Sequence, residues 1–124
     1  MQKLVFIGLF GLAGILTRYG IDRLVLPSSN GFPTSTFLIN ILGSFLAGLV
    51  FVLGERDGIS PDIQLALLVG FCGGFTTFSA YSLQSFQLID KDKMALALVY
   101  LVASPILGLL AASIPIVITR RFIT

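Results

Sequence analysis

Histidine and tryptophan are absent from this 124-residue sequence, and there is one cysteine, Cys72. Without imidazole the chain lacks the usual general base, the usual proton shuttle and the commonest metal ligand. A single cysteine excludes an internal disulfide and a multi-cysteine metal site. Charge is scarce as well. Asp, Glu, Lys and Arg together make up 11% of the residues, against about 25% in an ordinary soluble domain. The net charge of +2 comes without any basic run, so there is no electrostatic footprint for nucleic acid. With no clustered acids and no activated cysteine, an enzyme is not expected.

Apolar residues fill the space that charge leaves: 56% of the chain is hydrophobic. Four segments approach or exceed the roughly 20 residues needed to cross hydrocarbon, at about 4–21, 34–53, 63–89 and 94–118. Turn-forming or charged residues separate them: Asp22-Arg23 with Pro27 to Pro33, Gly54-Glu-Arg-Asp-Gly58, and Asp90-Lys-Asp-Lys93. Ser60-Pro61 reads as a cap and first turn for the third segment. Met1-Gln-Lys3 before an apolar run has the outline of a signal peptide. Gly11-Leu-Ala-Gly14 is a poor cleavage site, however, and three more apolar segments follow, so a first transmembrane helix is the better reading. The expected fold is all-α and membrane-spanning, one four-helix domain over residues 1–124 with antiparallel neighbours.

The third segment is too long for a straight span. About 27 residues at ~1.5 Å each give ~40 Å, against a hydrocarbon core of ~30 Å. It also contains Gly70-Phe-Cys-Gly-Gly-Phe-Thr-Thr-Phe-Ser-Ala-Tyr-Ser82, where glycines are followed by hydroxyl and ring side chains. A break near Gly73-Gly74 is expected, close to the midplane. Broken backbone at that depth is tolerated only when buried in protein or lining a polar cavity.

Basic residues orient membrane proteins, and here they are balanced. Lys3, Arg56, Arg120 and Arg121 fall on one side, and Arg18, Arg23, Lys91 and Lys93 on the other. Four against four gives the insertion machinery almost no instruction, which predicts insertion both ways up and antiparallel pairing. Four short helices can hardly enclose a water-filled path alone, so transport implies a dimer or larger assembly. Gly70 with Gly74, Gly43 with Ala47 and Gly108 with Ala112 repeat the small-xxx-small spacing of close helix packing.

Few polar side chains lie inside the spans. Arg18 is the only charge well within one, placed either to pair or to snorkel to the interface. Asn40 is deeper, and its amide donors need partners in hydrocarbon. At the break, Gly73, Gly74, Thr76 and Thr77 would free carbonyls suited to a hard monovalent cation. Phe78 and Tyr81, spaced i, i+3, align two rings whose electropositive edges suit a small anion, though such pairs more often serve packing. Thr77, Ser79 and Ser82 add hydroxyl donors.

These motifs, in this order, resemble the Fluc (CrcB) family of fluoride channels. The residues carrying the likeness are Gly11-Leu-Ala-Gly-Ile-Leu-Thr-Arg-Tyr19, Ser35-Thr-Phe-Leu-Ile-Asn-Ile-Leu-Gly-Ser-Phe45 and Gly70-Phe-Cys-Gly-Gly-Phe-Thr-Thr-Phe-Ser79. The resemblance implies passive export of cytoplasmic fluoride across a bacterial inner (plasma) membrane by an antiparallel, dual-topology homodimer with two pathways. It implies a structural Na⁺ on the twofold axis, held by the carbonyls of Gly73 and Thr76 from each subunit. It places Asn40, Phe78 and Tyr81 on the anion pathway beside Thr77 and Ser79, with Arg18 at a vestibule. Tyr100, Ser104 and Ser113 are weaker pathway candidates in the least similar helix. Two departures stand out. Tyr81 replaces a phenylalanine, keeping the ring edges and adding a hydroxyl, and Gln84 replaces a common glutamate.

Two other readings compete. A small dual-topology multidrug exporter needs an intramembrane carboxylate for proton coupling, and the first segment has none. A non-transporting assembly subunit would fail to dissipate a fluoride gradient. The balanced charges give a direct test of orientation. With Cys72 replaced by alanine, a cysteine added at either terminus should be labelled by impermeant reagent from both sides of the membrane. Labelling from one side alone rules out dual topology.

Overall fold

The computed structural model describes residues 1–123, which form four helical spans. α1 is Gln2–Leu24 and α2 is Thr34–Glu55. The third span, Pro61–Asp90, divides into α3 (61–75) and α4 (Phe78–Asp90). α5 is Met94–Phe122. All four spans are long and apolar enough to cross a membrane. The helices outrun the expected ends by up to four residues, because Arg23, Glu55 and Arg120 stay helical in terminal turns that reach the polar interface. The Ser60 hydroxyl accepts from the Ile63 N–H at 3.4 Å and Pro61 opens α3, an N-cap followed by proline in the first turn.

Charged pairs mark one end of the bundle. Lys3 meets Asp62 at 3.0 Å, Arg120 grips both carboxylate oxygens of Glu55, and Arg56 donates to the Thr119 carbonyl. The two chain termini and the 54–60 loop therefore share a face, as an even number of spans requires.

The break lies elsewhere than the glycines suggest. Gly73 is fully helical (φ −63°, ψ −37°), and it is Thr76 (φ −80°, ψ 157°) and Thr77 (φ −147°, ψ 111°) that are extended. Residues Ala66–Cys72 upstream form wider π turns. The glycines serve packing instead. A Cβ on Gly70 would stand 2.7 Å from the Ile7 carbonyl oxygen, one on Gly74 2.5 Å from that of Gly11, and one on Gly14 would enter the Phe71 carbonyl. α1 and α3 thus touch backbone to backbone, as small-residue helix contacts in membranes do. α2 and α5 make the other extensive contact, in which Gly48 lies against the Ala112 carbonyl. Gly43 sits under the break and leaves room for the side chains of Phe75 and Thr76.

Where α2, α4 and α5 meet, Leu88, Ala97 and Tyr100 are buried, with Phe32, Phe37 and Tyr81 packed around them. Most other large apolar side chains point outward, as expected where the solvent is lipid. Gly14→Ala should lower stability by about 1–3 kcal/mol through overpacking. Gly8→Ala, with no neighbour within 4 Å, should leave it unchanged or slightly raised. Thermal unfolding of the detergent-solubilised protein distinguishes them, and equal midpoints would refute the backbone contact.

Candidate functional site

A helix that stops in hydrocarbon exposes its last carbonyls and the next helix's first N–H groups, each costly to leave unpaired. In a continuous helix the Thr77 N–H would bond the Gly73 carbonyl. Here it donates to Asn40 Oδ1 at 2.8 Å, and Asn40 Nδ2 donates to the Thr77 carbonyl at 3.3 Å. The amide orientation follows, since only the oxygen can accept from an N–H, and one Nδ2 hydrogen stays free. Thr77 Oγ1 caps α4 by accepting from the Ala80 N–H at 3.2 Å. Thr76 Oγ1 folds back onto the Cys72 carbonyl at 2.8 Å. Arg18 donates through Nε to the Gly74 carbonyl at 3.2 Å. Pairing, rather than snorkelling alone, is therefore its role in the fold, and it places positive charge at the carbonyl end of α3.

Two backbone groups on each side of the break keep open valences. Among the described residues no hydrogen bond reaches the carbonyls of Gly73 and Thr76. Gly73 is also exposed at the surface of the chain. The N–H groups of Phe78 and Ser79, at the positive end of the α4 dipole, likewise have no partner among the described residues.

Beside the break a groove of about 300 Å³ runs between α2, α4 and α5, lined by Asn40, Thr76, Thr77, Phe78, Tyr81 and Ser104 among others. No charged residue lines it. The Ser104 hydroxyl is buried without a partner among the described residues. Phe78 is 79% exposed in the single chain, so the groove has no cover on that side. The Phe78 and Tyr81 rings lie 5.7 Å apart and tilted, and Tyr81 lies 5.1 Å from Tyr100, distances typical of interacting rings.

The remaining candidates divide. Arg18 lines a neighbouring cavity of about 220 Å³ with Thr36 and Gln84, and Thr77 lines both cavities. Ser79 bonds Thr77 Oγ1 at 3.3 Å and faces outward. Ser113 folds onto the Leu109 carbonyl and does not line the groove, and Ser82 likewise returns to Phe78. Tyr100 is fully buried beneath the rings and donates to Gln84 Oε1 at 3.0 Å, while Gln84 Nε2 donates to Thr36 Oγ1 at 2.9 Å. This Thr36–Gln84–Tyr100 chain was not singled out from the sequence. Its signals there were Gln84, where the resemblance leads one to expect a glutamate, and Tyr100 as a weaker pathway candidate; nothing in the sequence joined them to Thr36.

The family model described as CrcB-like protein, Camphor Resistance (CrcB), matches residues 5–116. The chain belongs to the CrcB family. Proteins named fluoride-specific ion channel FluC are among its relatives. That of Thermus thermophilus is 42% identical over 113 residues, covering 90% of each chain. That of Methanococcus aeolicus is 40% identical over 93 residues, 75% of each. That of a Geobacter species is 36% identical over 122 residues, 97% of this chain and 98% of the relative. Every side chain in the two cavities falls inside the stretch that matches the CrcB model. The chain is thus a multi-pass membrane protein of that family.

Replacing Asn40 by leucine strands the Thr77 N–H and carbonyl together. Stability should fall by about 1–3 kcal/mol, measured as a lower unfolding midpoint in detergent. An unchanged midpoint would mean that the break does not depend on this amide.

Proposed function

We propose that the chain forms a fluoride-selective channel that lets cytoplasmic fluoride leave passively, and so limits its toxicity. The observation that carries this reading is the uncharged donor set around the groove: a free Asn40 N–H, an unpartnered Ser104 hydroxyl, and the ring edges of Phe78 and Tyr81. Fluoride is small and strongly hydrated, so a pore has to replace water with several well-placed donors. Fixed cations in a dry pore would hold it too tightly, whereas conduction needs binding weak enough to leave. The unpaired N–H groups that open α4 add partial positive charge beside the groove. Arg18, kept outside the groove by Gly74, serves as a vestibule charge that draws anions in. The names of the relatives supply the choice of fluoride among small anions. No chemical step is needed, and an enzymatic role is not proposed.

The open side of the groove and the balanced basic residues support an antiparallel homodimer, with a second copy covering the exposed Phe78 and each copy contributing to a pathway. The unpaired carbonyls of Gly73 and Thr76 fit a hard, oxygen-seeking monovalent cation. Two from each copy would hold Na⁺ at the twofold axis, where the ion would supply the positive charge that joins four partial negatives. The chain's own part is to keep those carbonyls free, which it does by diverting the Thr77 N–H to Asn40 and the Ala80 N–H to Thr77 Oγ1.

The test is fluoride efflux from proteoliposomes, followed with a fluoride-selective electrode against chloride as competitor. The natural protein should release fluoride and not chloride, and Phe78→Ile should abolish release while leaving the dimer intact on gel filtration. No fluoride release from the natural protein would overturn the channel reading, and normal release by Phe78→Ile would remove the ring edge from it.

A further inference from the structure

Pro105 lies inside α5. Proline has no N–H, so it cannot bond the carbonyl four residues back, which is that of Leu101. In hydrocarbon that carbonyl needs another donor. The donor present is the Tyr81 hydroxyl, at 2.8 Å. Tyr81 and Pro105 both line the groove, and the bond crosses from α4 to α5.

We infer that Pro105 is a positioning residue: by leaving the Leu101 carbonyl open it creates the acceptor that anchors the Tyr81 ring beside the groove. The hydroxyl is engaged with main chain and is not a ligand for the ion. It fixes the direction of the ring's long axis across the groove, because swinging the ring to another rotamer would break the bond to Leu101. A phenylalanine at residue 81 would keep the ring edges and lose the anchor. The neighbouring rings of Phe78 and Tyr100, at 5.7 and 5.1 Å, would then have to hold the ring by packing alone. Tyrosine at 81 and proline at 105 are thus one device, and changing either changes the need for the other.

The flux part of this inference rests on the fluoride-channel reading, and the stability part does not. Four proteins test both: the natural chain, Tyr81→Phe, Pro105→Ala, and the two changes combined. Each is assayed for fluoride release from proteoliposomes and for thermal unfolding in detergent. Tyr81→Phe should release fluoride about fivefold more slowly, the scale of one interhelical hydrogen bond in a membrane, and unfold at a lower temperature. Pro105→Ala restores the helical N–H to Leu101, which then competes with the hydroxyl, and release should slow in the same direction as in Tyr81→Phe but by no more than about fivefold. In the double variant Leu101 has its helical donor, so removing the hydroxyl should cost little further stability, while the ring stays unanchored and release should remain as slow as in Tyr81→Phe.

Pro105→Ala at the natural rate beside a slow Tyr81→Phe would show that the hydroxyl acts on the ion itself rather than through Leu101, and would overturn the inference. So would Tyr81→Phe with unchanged flux, since the bond would then be structural at most. Release slower in Pro105→Ala than in Tyr81→Phe would mean that the proline acts by bending the helix, and would overturn the inference as well. If the natural protein moves no fluoride, the channel reading fails. The unfolding midpoints of the four proteins still decide whether residues 81 and 105 are coupled.

Discussion

The pairing of the Asn40 amide with the main chain of Thr77 is the contact on which the rest of the third span depends. A break in mid-membrane leaves both a donor and an acceptor to be satisfied, and an asparagine side chain supplies one of each in the geometry of a neighbouring backbone. Its effect reaches further than the two bonds. Because Thr77 no longer bonds Gly73, one carbonyl of α3 is released. Because α4 must start afresh after the break, its first N–H groups are released too. One side chain, itself uncharged, thereby creates an electronegative patch and an electropositive patch a few residues apart.

The helices around the break are arranged to permit it. α1 approaches α3 so closely that glycine is needed at 14, 70 and 74, and this proximity is what brings Arg18 onto the Gly74 carbonyl. Gly43 performs the corresponding service from α2, leaving room for Thr76 and Phe75. α5 is interrupted in its bonding at Pro105, and there too a side chain from the third span takes over. The same solution thus recurs in three places: main chain freed on one helix is paired by a polar side chain from another. In water each such exchange would be nearly neutral. In hydrocarbon the alternative is an unpaired group, which makes the exchange obligatory.

The four spans were legible because hydrophobic length and charged turns follow directly from bilayer thickness, and the existence of a break followed from excess length. Its position was legible to within a turn, expected near Gly73-Gly74 and found at Thr76-Thr77. Glycine is used both to break helices and to let them touch, and a single sequence does not separate the two uses. Gly74 belongs to the second, Gly73 is helical and exposed with no other helix against it, and the extended residues are threonines. Asn40 could be singled out as an amide needing partners, but its partner lies 37 residues away and no local pattern points to it. Arg18 was undecided for the same reason. The Gln84 chain and the Tyr81–Leu101 bond depend on helix rotation about axes that periodicity fixes only loosely.

Arg18 and Gly74 are 56 residues apart in the chain, and α1 makes its main contacts with α3 rather than with α2. During synthesis at about 5–20 residues per second, α1 is complete several seconds before its partner exists. For that interval it is a glycine-rich helix in lipid with an uncompensated guanidinium near its end, and the arginine's reach to the interface is what makes the wait tolerable. The length of the side chain thus serves assembly as well as the finished fold, in which the charge is paired with the Gly74 carbonyl.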